Sequence, residues 1–292
     1  MSRSLVIARV GRKSLHRCWV DAGKPRDWDL YLSPFEEIGP QEDLECQIGD
    51  VIPGPKWTGL AKLLNAWHGW RDYDHIWLPD DDILASQDAV TTMFELGRAL
   101  DFQLFAPALH ETSHYAHFIA MRNPSFLARR VGFIEIMIPC FRRATLEDLL
   151  PTFSLSATGW GFGLDAAWPK MLGYEHIGII DEVSVVHTRP VGTFKDPDLR
   201  RRVMQESDDI LAKFECSQRL VTFAGVRPDL RDASLTPEEL LVELVRGWQY
   251  LFARDANALR WLFEQQQCLF SDSPYPVSGL PTSPQSREKA GS

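Results

Sequence analysis

Apolar and polar positions follow two rhythms along the first half of this chain. Short apolar blocks at residues 5–10, 28–32, 75–78 and 103–106 read as buried strands. Between the second and third, residues 56–70 set Trp57, Leu60, Leu63, Leu64 and Trp67 at helical spacing. Pro53, Gly54 and Pro55 punctuate the start of that helix. Ser86 is placed to cap another helix reaching residue 100, with Asp88 near the positive end of its dipole. Strand and helix alternate, which argues for an α/β layer with a mainly parallel sheet. Residues 110–117 are rich in His and aromatic groups and read as a loop. Residues 118–121 and 133–141 read as strands, 144–150 and 164–172 as short helices, and 177–180 and 183–187 as short β segments. Pro169 predicts a bend in the second of those helices.

The character changes after Pro190. Residues 196–214 and 237–267 read as helices joined by an apolar stretch at 220–223. Leu240, Leu244, Val245, Trp248 and Leu251 repeat at helical spacing, which predicts a face packed on the preceding region. Beyond Ser271 the chain is dominated by Ser, Pro and Gly with little to bury. The expected plan is a catalytic α/β domain at 1–195, a helical appendage at 196–270 and a disordered tail at 271–292.

Composition narrows the function classes. The net charge is −9, from 31 basic and 40 acidic residues, so the basic excess of a nucleic-acid-binding surface is missing. The Arg200-Arg201-Arg202 run sits in a charged helical stretch and reads as a solvated face. Ten Trp residues lean toward a carbohydrate ligand, since indoles line sugar sites as well as cores. The five Cys are scattered with no C-x-x-C pair, which argues against a zinc or redox motif and suits reduced thiols in a cytoplasm. No apolar stretch is long enough to span a bilayer; a peripheral membrane contact stays open.

The densest chemistry lies at Pro79-Asp80-Asp81-Asp82, where a strand stops at three carboxylates. Adjacent like charges repel, and a hard divalent cation is the natural counter-charge. Alternate residues of an extended segment share a direction, so Asp80 and Asp82 can converge on one ion while Asp81 points away. Magnesium or manganese is the expected metal. Gly159-Trp160-Gly161-Phe162-Gly163-Leu164-Asp165 lets the backbone turn tightly beside a ligand and sets Asp165 at a helix start. His187 ends an apolar strand, where a neutral imidazole can ligate a metal. Glu135 interrupts an apolar run and needs a partner, from a ligand or from a side chain such as Arg142.

In this order the motifs Pro79-Asp80-Asp81-Asp82, residues 133–139, the Gly-Trp-Gly turn through Asp165, Asp181, and His187-Thr188-Arg189-Pro190-Val191-Gly192 resemble a family. That family is a domain of unknown function whose plant members are called "lysine-ketoglutarate reductase trans-splicing related". The resemblance runs over residues 5–192 and is similar also to the broader GT-A glycosyltransferase fold, a Rossmann-like mixed sheet flanked by helices. It implies a metal-dependent transfer of sugar from a nucleoside-diphosphate sugar to a hydroxyl acceptor, such as a glycan or glycolipid. It implies that Asp82, Asp80 and His187 hold the metal, and that Asp80, Lys56 and Arg9 serve the donor. It implies that Asp165 is the acceptor-side base, with Trp160, Gly161 and Glu135 on the acceptor. Many GT-A enzymes carry two adjacent acids where this chain has Leu164-Asp165, which bears on the role of Asp165.

Rival readings fit less well. A haloacid-dehalogenase phosphatase would have its DxD on the first strand, with Thr or Val where Leu84 stands. A prenyl-diphosphate enzyme would need DDxxD on a helix. A nucleotidyltransferase would share much of the fold, but the Gly-Trp-Gly turn favours sugar transfer. A silent nucleotide-sugar or glycan-binding module would keep Asp80, Asp82 and the aromatics without needing Asp165.

Overall fold

The computed structural model describes residues 3–270, so the expected tail at 271–292 lies outside the described residues. In chain order the strands are β1 (Ser4–Val10), β2 (Trp28–Pro34), β3 (Gln47–Ile48), β4 (His75–Trp77), β5 (Ile83–Leu84), β6 (Leu104–Leu109), β7 (Ala128–Val131), β8 (Cys140–Arg142), β9 (Ile177–His187) and β10 (Thr222–Val226). The helices are α1 (Lys56–Ala66), α2 (Gln87–Ala99), α3 (Arg143–Leu149), α4 (Leu164–Met171), α5 (Pro197–Lys213), α6 (Pro237–Gly247), α7 (Gln249–Phe252) and α8 (Ala256–Gln266).

One mixed sheet runs β10-β7-β9-β6-β8-β4-β1-β2-β3, and β5 pairs with the far end of β9. Strands β3, β2, β1 and β4 are mutually parallel, and β6 is parallel to β9. The remaining pairings are antiparallel. The alternating strand–helix rhythm thus produces a parallel block only in the N-terminal half. Strand β1 is buried along its whole length, as a central strand covered on both faces must be. Ser86 caps α2 by accepting a hydrogen bond from the Ala89 amide.

Three sequence expectations are corrected. Residues 118–120 form a 3-10 turn rather than a strand. Of the 133–141 run only Cys140 and Phe141 lie in a strand, β8. Phe133, Ile134 and Ile138 are fully buried, and a continuous apolar run has no period to separate strand from buried loop. Its carbonyls serve other groups instead of a ladder: Pro139 accepts from the Leu78 amide and Ile138 from the Trp77 indole. The 237–267 helix is three helices. Gly247 faces Asn123, whose Nδ2 donates to the Leu244 carbonyl, and a Cβ there would lie 1.8 Å from Asn123 Oδ1. Asp255 then caps α8, accepting from the Asn257 and Ala258 amides.

The region after residue 196 is not purely helical, because β10 extends the sheet edge against β7. Trp248 is buried and donates its indole N–H to the Met121 carbonyl, and the Arg129 guanidinium lies 4.7 Å from its ring centre. Arg129 and Asp181 form a fully buried bidentate ion pair at 2.8 and 3.0 Å. Asp181 also accepts from the Asn123 amide, so both its oxygens are satisfied. Asp181 thereby serves the frame of the fold. Among the described residues, no helix is long and apolar enough to cross a membrane.

Candidate active site

The three aspartates sit where β4 ends. The Leu78 amide donates to Pro139 and the Asp80 amide to Met137, which carries the segment past the strand in a fixed direction. Strand β5 then pairs Ile83 with His187, and the Asp82 carbonyl accepts from both the amide and the hydroxyl of Thr188. This pairing joins residues remote in sequence. His187 Nε2 lies 3.3 Å from Asp82 Oδ2, and both side chains are buried. Asp80, Asp82 and His187 each offer one ligand atom, and these atoms lie within 4.8 Å of one another.

The chemistry of this donor set suits a divalent cation. His187 Nδ1 donates to the His114 carbonyl, at 2.9 Å. In the neutral ring Nε2 therefore keeps its lone pair, aimed at a carboxylate oxygen. Two acceptors this close need a proton or a metal between them. Burial pushes the Asp82 carboxyl above its ordinary range, His187 pulls it back, and Asp80 and Asp81 push it further up. A bound cation would reverse that balance.

Asp81 points the other way, as the alternation predicts. It accepts from Ser14 Oγ at 2.9 Å and from Arg189 Nη1 at 3.2 Å. Lys56, at the first position of α1, lies 2.6 Å from Asp80 Oδ1 and donates to the carbonyls of Ile136 and Met137. Burial lowers its pKa while Asp80 raises it. Its three protons are thus engaged within the protein, so the ammonium orients Asp80. Arg9 departs from its expected place on the donor. Its guanidinium is buried and donates to Ser33, Pro34, Ile52 and Gly54, with burial lowering its pKa to about 10. Gly59 makes room for it, since a Cβ there would lie 2.4 Å from Arg9 Cζ. Arg9 ties β1 to β2 and to residues 52–54.

A second group of titratable side chains lies close by. Glu135 does not meet Arg142, which pairs with Asp101. It meets His117 Nδ1 at 2.7 Å, and both are buried. Glu135 lies two residues before Met137, whose carbonyl holds Asp80 and Lys56, so the backbone distance is at most about 7 Å. Burial alone would lower the His117 pKa, but Glu135 and Asp165 raise it above the ordinary value. Asp165, second residue of α4, is 3 % exposed, and its Oδ1 has no hydrogen-bond partner among the described residues. Burial lifts its pKa to about 7, with His117 opposing and Glu135 adding to the rise.

The glycine turn fixes Asp165 in this place. Gly159, Gly161 and Gly163 all have positive φ, which side chains rarely tolerate. The Gly159 carbonyl accepts from the Trp57 amide, and a Cβ at Gly161 would lie 2.3 Å from the Trp57 ring. The start of α1 therefore supports both Lys56 and the turn. From α5, Glu206 accepts from Ser156 Oγ and from the Thr158 amide and hydroxyl, at 2.7–2.8 Å. Half-buried Trp160 lies 4.4 Å from the Phe194 ring centre.

His117 and Glu206 stand out only in the structure. One sequence signal points toward His117: an acid in an apolar run demands a buried partner, and the His-rich 110–117 loop offers three imidazoles.

No family model matches the chain, so the resemblance to the plant-containing family finds no support there. No curated protein matches either. Among solved structures the chain is similar to S. aureus TarS. Residues 1–349 of TarS in complex with UDP align at 9% identity and a TM-score of 0.46, covering 88% of this chain and 73% of that one. The same fragment with UDP-GlcNAc aligns at 10% and 0.47, covering 88% and 74%. Another TarS structure aligns at 10% and 0.46, covering 92% of this chain and 55% of that one. Likeness at this level bears on neither substrate nor mechanism.

Proposed function

We propose that this chain is a metal-dependent glycosyltransferase of GT-A type that moves a sugar from a nucleoside-diphosphate sugar to an acceptor hydroxyl. The contact of 3.3 Å between His187 Nε2 and Asp82 Oδ2, with Asp80 alongside at a strand's carboxyl end, carries the reading. Manganese or magnesium held by these three residues would supply positive charge facing the leaving diphosphate. The residues around them prepare the place. Lys56 holds Asp80, the His114 carbonyl fixes the His187 tautomer, and Thr188 holds the Asp82 backbone.

Asp165 takes the proton of the acceptor hydroxyl as the sugar is transferred. A carboxylate with a pKa of about 7 and an unpartnered oxygen suits a general base at neutral pH. Glu135 is engaged by His117 and tunes Asp165. A single free carboxylate favours an inverting transfer. The Trp160 and Gly161 turn beside it belongs to the acceptor side. The scattered cysteines, without a paired motif, support a reducing compartment such as the cytoplasm.

Thermal melting with nucleoside diphosphates and their sugars, each with and without manganese, tests the reading. One nucleotide should raise the melting temperature only when metal is present, with stabilisation of about 2.7 kcal/mol at a hundredfold excess over Kd. Asp82→Ala should erase that shift. Stabilisation that survives a chelator, or its absence across the panel, would overturn the proposal. Metal-dependent binding without donor hydrolysis or transfer would favour a silent binding module.

A further inference from the structure

Residues 156–161, the first part of the glycine turn, belong to no helix or strand, so their backbone groups need partners from outside. Helix α5 supplies one carboxylate for most of them. Glu206 Oε1 accepts from Ser156 Oγ at 2.8 Å and from Thr158 Oγ1 at 2.7 Å. Glu206 Oε2 accepts from the Thr158 amide at 2.8 Å. With their protons committed to Glu206, the two hydroxyls serve the turn as acceptors. Ser156 Oγ accepts from the Gly161 amide at 2.8 Å, and Thr158 Oγ1 accepts more loosely from the Trp160 amide at 3.4 Å.

The direction of these bonds follows from the groups involved. An amide N–H only donates and a carboxylate only accepts, so each hydroxyl must donate to one and accept from the other. One ionised group thus orders the amides of residues 158, 160 and 161, one directly and two through a hydroxyl. Successive backbone N–H groups of a turn make an anion-binding concavity, and bonds to an ionised acceptor are about twice as strong as neutral ones. Here the anion comes from the chain itself.

The network leads to the proposed base. The Gly161 carbonyl accepts from the Leu164 amide at 3.1 Å, and Leu164 immediately precedes Asp165 at the start of α4. The path from Glu206 through Ser156, Gly161 and Leu164 therefore ends one residue from Asp165. Helix α5 meets the turn again at Gly163, where a Cβ would lie 3.0 Å from the Ser207 carbonyl. Three residues beyond α5, burial and then the nearby Asp165 charge raise the Cys216 thiol pKa to about 11. A base must be held within about 0.5 Å of its productive place by neighbours that are themselves fixed, and α5 provides such neighbours along the whole turn.

We propose that Glu206 is a positioning residue for the acceptor step: through Ser156 and Thr158 it sets the turn at 158–161 and, with it, the place of Asp165. The proposal rests on the transferase reading. It makes α5 part of the catalytic unit instead of an appendage to it.

Hydrolysis of the nucleotide sugar that raises the melting temperature with manganese tests this, with water as the acceptor. Glu206→Gln keeps the side chain's size, but its single carbonyl oxygen cannot accept all three bonds. In that variant kcat should fall about 10²-fold, the cost of a displacement near an ångström, while KM for the nucleotide sugar stays within about twofold. Thr158→Val removes one hydroxyl at constant shape and should act in the same direction; Thr158→Ser should restore most of the rate. Adding Glu206→Gln to Asp165→Asn should cost little further, because residues that act as a unit are not additive. Amide hydrogen exchange reads the anchor without turnover: the Trp160 and Gly161 amides should exchange about tenfold faster in Glu206→Gln, the loss expected for one hydrogen bond. If Glu206→Gln does not fold, the Thr158→Val and Thr158→Ser pair decides by the same two measurements. An unchanged kcat, or a full multiplicative loss in the double variant, overturns the positioning role. Unchanged exchange overturns the anchor itself. Faster exchange in a protein that fails the nucleotide and metal test would leave the anchor standing and sink the transferase reading.

Discussion

Two acidic clusters lie near one another in this protein, one partly and one fully buried, and they balance their charge differently. In the first, Asp80 is held by Lys56, Asp81 by Arg189 and Ser14, and Asp82 faces a ring nitrogen whose own proton is committed elsewhere. In the second, Glu135 bonds His117, whose charge also acts on Asp165, and Asp165 Oδ1 has no hydrogen-bond partner among the described residues. The first arrangement accumulates anionic ligand atoms toward one point and suits a cation. The second sets two acids around one imidazole and suits a proton. Similar residue types are therefore suited to different chemistry, according to the charges that accompany them.

The comparison breaks most sharply if the first cluster does not depend on metal. Asp82→Ala should remove measurable metal-dependent turnover, read as donor hydrolysis with manganese, while circular dichroism shows an unchanged fold. His187→Ala should act in the same direction. Retained metal response in both variants would dissolve the distinction between the clusters.

Asp165→Asn should lower transfer about 10²–10⁴-fold, the span of general-base catalysis, with nucleoside-diphosphate affinity nearly unchanged. Full activity in this variant would remove Asp165 from the base role. The same substitution should stabilise the protein at pH 8. The folded pKa of about 7 lies above the ordinary carboxyl value, so the folded state holds its proton more tightly than the unfolded one. That stability is present below the unfolded pKa and is lost as pH rises through 7. Replacing the buried carboxylate relieves on the order of 4 kcal/mol, measurable by denaturant unfolding at pH 8.

The proton-sharing picture sharpens through the pH–rate profile. Transfer should fall on the acid side of about pH 7, where Asp165 protonates. Glu135→Gln removes a charge that raises this pKa and should move the acid limb to lower pH. His117→Gln removes the opposing cation and should move it to higher pH. A limb indifferent to both would detach Asp165 from its neighbours.

The smallest effect concerns a buried imidazole that belongs to neither cluster. His75 has no hydrogen-bond partner on either nitrogen among the described residues, and burial, with Arg98 and Arg142 adding, lowers its pKa from 6.5 to about 4. Its stability contribution is complete above pH 6.5 and is lost as pH falls toward 4, because the unfolded chain takes up the proton first. His75→Phe should reduce the destabilisation between pH 6.5 and 4.5 by about 1–2 kcal/mol, read from unfolding midpoints. This change should leave the pH–rate profile alone, which separates stability titration from that of Asp165.

How much was legible differs between the two clusters. The metal candidates stood out because a strand ending in Asp80-Asp81-Asp82 has a fixed alternation, and Asp81 does turn away toward Ser14 and Arg189. The second cluster was half visible. Glu135 announced a missing partner, but Arg142 was the nearer suggestion in sequence, whereas His117 is the one in contact. Lys56 showed as a helix-start cation, yet only its contacts reveal that all its protons are engaged. Arg9 stood at a strand end and was expected on the donor, while the space left by Gly59 draws its guanidinium inward.

The sequence by itself determined the strand–helix rhythm, the Ser86 cap, the acidic stop after β4 and the need for glycine at 159, 161 and 163. These follow from side-chain period and backbone sterics, which act over a few residues. Tertiary structure alone decided that β5 meets the end of β9 and brings His187 to Asp82, that the 133–139 carbonyls serve Lys56 and Asp80, and that Asn123 and Asp255 divide the last helix. Those contacts join segments far apart in the chain, and only the three-dimensional competition for buried hydrogen-bond partners selects among them.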